Sequence, residues 1–114
     1  MLFRSCRFDF RGCGESGGAL AASTLSDRLR DLQAVIAWMR GCPECDGRLA
    51  LMGSSMGGFL SLWAAAADPG IATTATWAAP AALHELLARA DSLASSGLGE
   101  PFLAELREIG RAHV

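Results

Sequence analysis

The chain has 114 residues, enough for one small domain, and 51% of them are hydrophobic, which suits a globular core. The net charge of −2 gives no electrostatic footprint for nucleic acid, and the use of arginine for all ten Lys/Arg positions points to a GC-rich coding bias more than to a binding patch. No apolar run is long enough to span a bilayer, and the opening Met-Leu-Phe-Arg-Ser-Cys-Arg lacks the apolar core of a signal peptide, which points to the cytoplasm. In chain order, Phe3 to Phe8 is a mixed run expected to be a strand. Arg11 to Thr24 is a loop rich in Gly, Ala and Ser. Leu25 to Arg40 reads as a helix, because Leu25, Leu29, Leu32, Val35, Ile36 and Met39 share one face at helical spacing. Thr24 or Ser26 suits its N-cap, Gly41 its C′ position, and Pro43 stops it.

Arg48 to Met52 reads as a buried strand, Met56 to Ala67 as a helix ended by Asp68-Pro69-Gly70, and Ile71 to Trp77 as a third strand. Strands separated by helices imply crossovers and a parallel sheet. After Pro80 the pattern changes. Ala81 to Ala90 and Pro101 to Ile109 are apolar-periodic helices, joined by the loop-like Ser92 to Gly99. No internal repeat is visible.

The densest chemistry lies at the junction of the second strand and second helix. Leu49-Ala50-Leu51-Met52 leads into Gly53-Ser54-Ser55-Met56-Gly57-Gly58, a Gly-x-Ser-x-Gly sequence between a strand and a helix. That order is what a nucleophile elbow needs. The strand delivers Ser55 to a turn too sharp for large neighbours. Gly53 and Gly57 flank Ser55 where a Cβ is expected to clash, and Gly58 lets the helix sit close to the strand. The new helix aims free N–H groups and its positive end at the same place. A carbonyl oxygen becoming an oxyanion is stabilised by such donors. Ser54 holds the first variable position and is expected to pack the turn.

A second motif lies upstream: Asp9-Phe10-Arg11-Gly12-Cys13-Gly14-Glu15-Ser16. Its glycines lack the Gly-Lys-Ser/Thr ending of a phosphate loop and do not match a dinucleotide fingerprint. It reads as a tight loop packed under the elbow, with Asp9 and Arg11 pairing or satisfying backbone. Asp-x-Arg-Gly-x-Gly-x-Ser, then an amphipathic helix, then strand, Gly-x-Ser-x-Gly-Gly and helix, resembles the middle of an α/β-hydrolase domain. The resemblance covers about Phe3 to Pro80 and is nearest to serine esterases, lipases and serine aminopeptidase-like members.

The resemblance implies a partial α/β-hydrolase fold, a parallel sheet with flanking helices. Residues 1–80 would form part of the core and 81–107 the start of helical cap or lid. It implies that Ser55 attacks an ester, thioester or amide carbonyl and that the Met56 N–H supplies half of the oxyanion hole. No cofactor or metal enters that mechanism. It also requires a histidine base and an orienting carboxylate, which follow the serine in this fold. His84, with Glu85 and Asp91 near it, lies in the expected cap helix with no strand between it and Trp77, and reads as a solvated cap residue. The triad acid and histidine are therefore expected outside this chain. His113 falls in Glu108 to Val114, which back-translates readily to a string resembling a sequencing adapter. Residues 108–114 are accordingly left out of functional reasoning.

Cys42-Pro43-Glu44-Cys45 is a Cys-x-x-Cys without a second ligand pair for zinc, since Cys6 and Cys13 are badly spaced. It follows a helix and does not precede one, and reads as reduced turn cysteines. The function expected is a serine hydrolase of carboxylic esters working through an acyl-enzyme on a small-molecule acyl substrate, truncated here and inactive alone. A serine aminopeptidase, a prolyl-oligopeptidase-like peptidase or an acyltransferase of the same fold is the alternative. A non-catalytic interaction protein that kept the elbow is the alternative from another class.

Overall fold

In the computed structural model, which describes residues 4–80, 85, 88 and 95–112, helix α1 spans Leu25–Arg40. Its start is set by a reciprocal cap. The Thr24 hydroxyl accepts the Asp27 amide at 3.0 Å, and the Asp27 carboxylate accepts the Thr24 amide at 3.0 Å. Ser26 takes no part in that cap. Gly41 closes the helix in right-handed backbone (φ −83, ψ −10), so the left-handed geometry for which glycine is suited at C′ is not used. Leu25, Leu32 and Ile36 are buried, as their spacing predicts.

Strand β1 (Leu49–Ser54), helix α2 (Met56–Ala67) and strand β2 (Ile71–Trp77) follow. The two strands pair in parallel, from Ala50 opposite Thr73 to Ser54 opposite Trp77, with one irregularity between Leu49 and Ala50. Leu49, Leu51 and Gly53 are half-buried, while Ala50, Met52 and Ser54 alternate with them and are exposed. Met52 is 72% exposed and Trp77 56%, although both belong to the strands of a parallel sheet. The architecture is a small α/β unit with a parallel sheet flanked by helices, consistent with the partial α/β-hydrolase fold.

The expected strand at Phe3 to Phe8 does not form within the described residues. Residues 4–10 carry no regular structure, and the sheet contains β1 and β2 alone. A strand needs a neighbour for its N–H and C=O groups, and none is paired there. Residues 4–7 are exposed, and only Phe8 and Phe10 turn inward, their rings 4.7 Å apart edge to face.

A single 3-10 turn, Leu20–Ala22, precedes α1, and helix α3 spans Glu100–Ala112. Phe102 and Leu106 of α3 are fully buried in the same cluster as Leu25 of α1 and Leu60 of α2. Glu105 accepts hydrogen bonds from the Ser26 amide at 3.0 Å and from the Ser26 hydroxyl. A carboxylate at the first turn of α1 is favoured by the open N–H groups and the helix dipole. The expected helix Ala81 to Ala90 lies outside the described residues except for positions 85 and 88. Among the described residues no helix is long and apolar enough to cross a membrane.

Candidate active site

Ser55 stands between the last residue of β1 and the first of α2, with φ 51 and ψ −122. A non-glycine residue in such backbone costs about 1–3 kcal/mol, so its surroundings must over-determine it. Two hydrogen bonds do so. The Ser55 amide donates to the Trp77 carbonyl at 3.1 Å, and its carbonyl accepts the Phe59 amide at 3.1 Å. The residue is thereby tied to β2 on one side and to α2 on the other.

The same backbone decides where the hydroxyl goes. A serine at a helix N-cap ordinarily turns its oxygen back onto the second or third N–H of the helix. Ser55 makes no such bond, and its side chain is exposed. Among the described residues no acceptor meets the amide of Met56. The elbow therefore presents an uncommitted hydroxyl beside uncapped helix donors. An oxyanion formed at Ser55 would meet those donors and the positive end of α2.

The flanking glycines do not act alike. A Cβ on Gly53 would collide with the Gly57 carbonyl and stand 2.6 Å from the Gly58 nitrogen. A Cβ on Gly58 would stand 2.6 Å from the Ala79 Cβ and 3.2 Å from the Thr76 Cβ. These two glycines let α2 lie directly on the strands. The expected clash at Gly57 is corrected: a Cβ there meets nothing within 4 Å. Gly57 faces open space in the first turn of α2. Ser54 is exposed at the end of β1 and packs no turn, contrary to its expected role.

The upstream motif folds as a string of turns. Gly12 and Gly14 adopt φ of 76 and 50, which side-chain-bearing residues resist. Asp9 and Arg11 do not pair with each other. Asp9 satisfies backbone, accepting the Glu15 amide at 3.1 Å, and its carbonyl accepts the Ser16 hydroxyl at 2.7 Å. Arg11 reaches forward to α1. Its Nη2 lies 2.7 Å from Asp31, its amide donates to Asp31 at 3.0 Å, and its Nη1 lies 3.3 Å from Asp27.

These contacts set the local titration. Partial burial pushes the Asp31 carboxyl up, but the Arg11 side chain, the Arg11 amide and the guanidinium charge together hold it below its usual 3.8. Asp27 is also held below 3.8, first by the Thr24 amide and then, against partial burial, by the Thr24 side chain and the charges of Arg11 and Arg30.

Sequence reasoning missed Arg28. It lies on the inner face of α1 and is 6% exposed, covered by the upstream loop. Its guanidinium stacks 5.4 Å from the Phe10 ring and its Nη2 donates to the Cys13 sulfur at 3.9 Å. Its position among apolar residues at helical spacing was the one available signal. Ala78 was missed as well: it follows β2 with φ 51. His84, Asp91 and His113 lie outside the described residues, so no base or orienting acid is placed beside Ser55 by their geometry.

Comparison with known proteins adds one finding. No curated protein and no solved structure matches the chain. A protein-family model does match, over residues 3–105, and its description is X-Pro dipeptidyl-peptidase (S15 family). The match takes in both glycine-rich motifs, the elbow and most of α3. With nearly its whole length covered, and with the strand-elbow-helix geometry of the α/β-hydrolase superfamily at Ser55, the chain belongs to the X-Pro dipeptidyl-peptidase (S15) family.

Proposed function

We propose that the chain carries the nucleophile of a serine peptidase, with Ser55 attacking the proline carbonyl of the amide bond that follows an X-Pro dipeptide. The observation that supports this reading most is the backbone of Ser55, held at φ 51 and ψ −122 with no capping bond from its hydroxyl. A histidine and a carboxylate supplied from outside these 114 residues would complete the triad. The Ser55 hydroxyl would pass its proton to that histidine as its oxygen bonds the carbonyl carbon. The Met56 N–H would stabilise the oxyanion, the proton would go to the leaving amine, and water would release the acyl group.

The family match favours the peptidase alternative over the carboxylic ester hydrolase expected from the elbow alone. The elbow serves both reactions, since each passes through an acyl-enzyme. Substrate comparison separates them. In the full-length protein that carries this segment, an X-Pro anilide is expected to be cleaved with higher kcat/KM than the same anilide with Ala replacing Pro. Efficient turnover of p-nitrophenyl esters with no cleavage of the X-Pro anilide would restore the ester reading.

A further inference from the structure

Cys42 and Cys45 take no part in the elbow, yet the fold gives them a defined relationship. The Cys45 amide donates to the Cys42 carbonyl at 3.0 Å, closing a turn with Pro43 and Glu44 at its centre. Such a turn holds its end Cα atoms within about 7 Å, and a disulfide needs about 4.4–6.8 Å. Pro43 occupies the second position, where its fixed φ favours the turn. The Cys42 thiol donates to the Trp38 carbonyl at 3.5 Å, at the end of α1. Both thiols are half-buried and unbridged. Among the described residues no group of three metal-ligating side chains includes them.

We propose that Cys42 and Cys45 are a thiol–disulfide exchange pair whose substrate is a small-molecule disulfide. The turn holds the two Cα atoms at a separation a disulfide can span, and Cys42 keeps its proton on the Trp38 carbonyl, which leaves Cys45 as the attacking thiol. The Cys45 thiolate attacks one sulfur of R–S–S–R, breaking that bond and releasing R–S⁻. The Cys42 thiol gives its proton to solvent and attacks the Cys45 sulfur, releasing the second R–S⁻. The chain loses two electrons and two protons, and the small disulfide becomes two R–SH. The ring from Cys42 to Cys45 is too short to restrain the unfolded chain much, so the bond is exchangeable and not a staple.

Oxidised glutathione tests this on the whole chain, with alkylation of remaining thiols and peptide mapping. The expected product is a Cys42–Cys45 link, with Cys6 and Cys13 either free or carrying glutathione. Cys42→Ser is expected to hold a stable glutathione adduct at Cys45, and Cys45→Ser to react several-fold more slowly at Cys42. In concentrated urea the linked product is expected to give way several-fold to mixed disulfides, because the turn is lost. Persistent mixed disulfides at both cysteines in the folded chain would overturn the proposal. So would the same product partition with and without urea, or faster reaction at Cys42 than at Cys45.

Discussion

The Ser55 amide donates to the Trp77 carbonyl at 3.1 Å, and the residue after Trp77 shares the positive φ of Ser55. Ser55 and Ala78 are the non-glycine residues with positive φ among those described, each at 51. They stand side by side at the carboxyl ends of paired strands. Strain of this kind collects at sites whose geometry must be imposed.

Relief of that strain is measurable. Ala78→Gly is expected to raise thermal stability by about 1 kcal/mol, because glycine accepts positive φ while its entropy cost is smaller than the strain removed. Ser55→Gly is expected to do the same while ending any reactivity at this position. Thermal unfolding monitored by circular dichroism checks both. A loss of stability in Ala78→Gly would show that its backbone is not strained.

The glycines of the elbow should separate by substitution. Gly53→Ala and Gly58→Ala are each expected to cost about 1–3 kcal/mol, since the new methyl meets backbone at Gly53 and the Ala79 Cβ at Gly58. Gly57→Ala is expected to leave stability unchanged or raise it by up to about 1 kcal/mol, as a Gly-to-Ala change at an open helical position does. Equal losses at all three positions would contradict the open space found beside Gly57.

What was legible in the sequence was local. Helix α1 announces both its ends through Thr24, Gly41 and Pro43, and α2 and β2 through the elbow and Asp68-Pro69-Gly70. The bounds of all three match the expectation. What was illegible depends on distant partners. Phe3 to Phe8 has the composition of a strand, but residues 4–8 have no strand to pair with among the described residues. The burial of Arg28 depends on a loop that folds back over α1. The Ser26–Glu105 contact joins residues 79 apart in the chain. At Gly57 the failure was geometric: Gly53 and Gly57 look symmetric about Ser55 in the motif, yet only the first points its missing side chain at backbone.

The Arg11 clamp gives a pH signature. Asp27 and Asp31 are held below 3.8 in the folded chain, so their contribution to stability is fully present above the ordinary carboxylate range. It is lost as pH falls through their folded values. Arg11→Gln removes the guanidinium hydrogen bonds and charge from Asp31 and the charge from Asp27. The variant is expected to be less stable than the parent chain near neutral pH and to converge on it at acid pH, once both carboxyls have taken up their protons. Thermal unfolding across pH 2 to 7 reads this directly. A constant gap between the two chains over the whole range would show that the pairing with Arg11 is not what depresses Asp31.

The role of Ser55 is tested most directly by where a fluorophosphonate attaches. In the full-length protein carrying this segment, the probe is expected to label one serine, and fragmentation mass spectrometry is expected to place the phosphonate on Ser55. Ser55→Ala should abolish the labelling while leaving the unfolding transition in place. Labelling at Ser54, or labelling that survives Ser55→Ala, would contradict the assignment of Ser55 as the nucleophile.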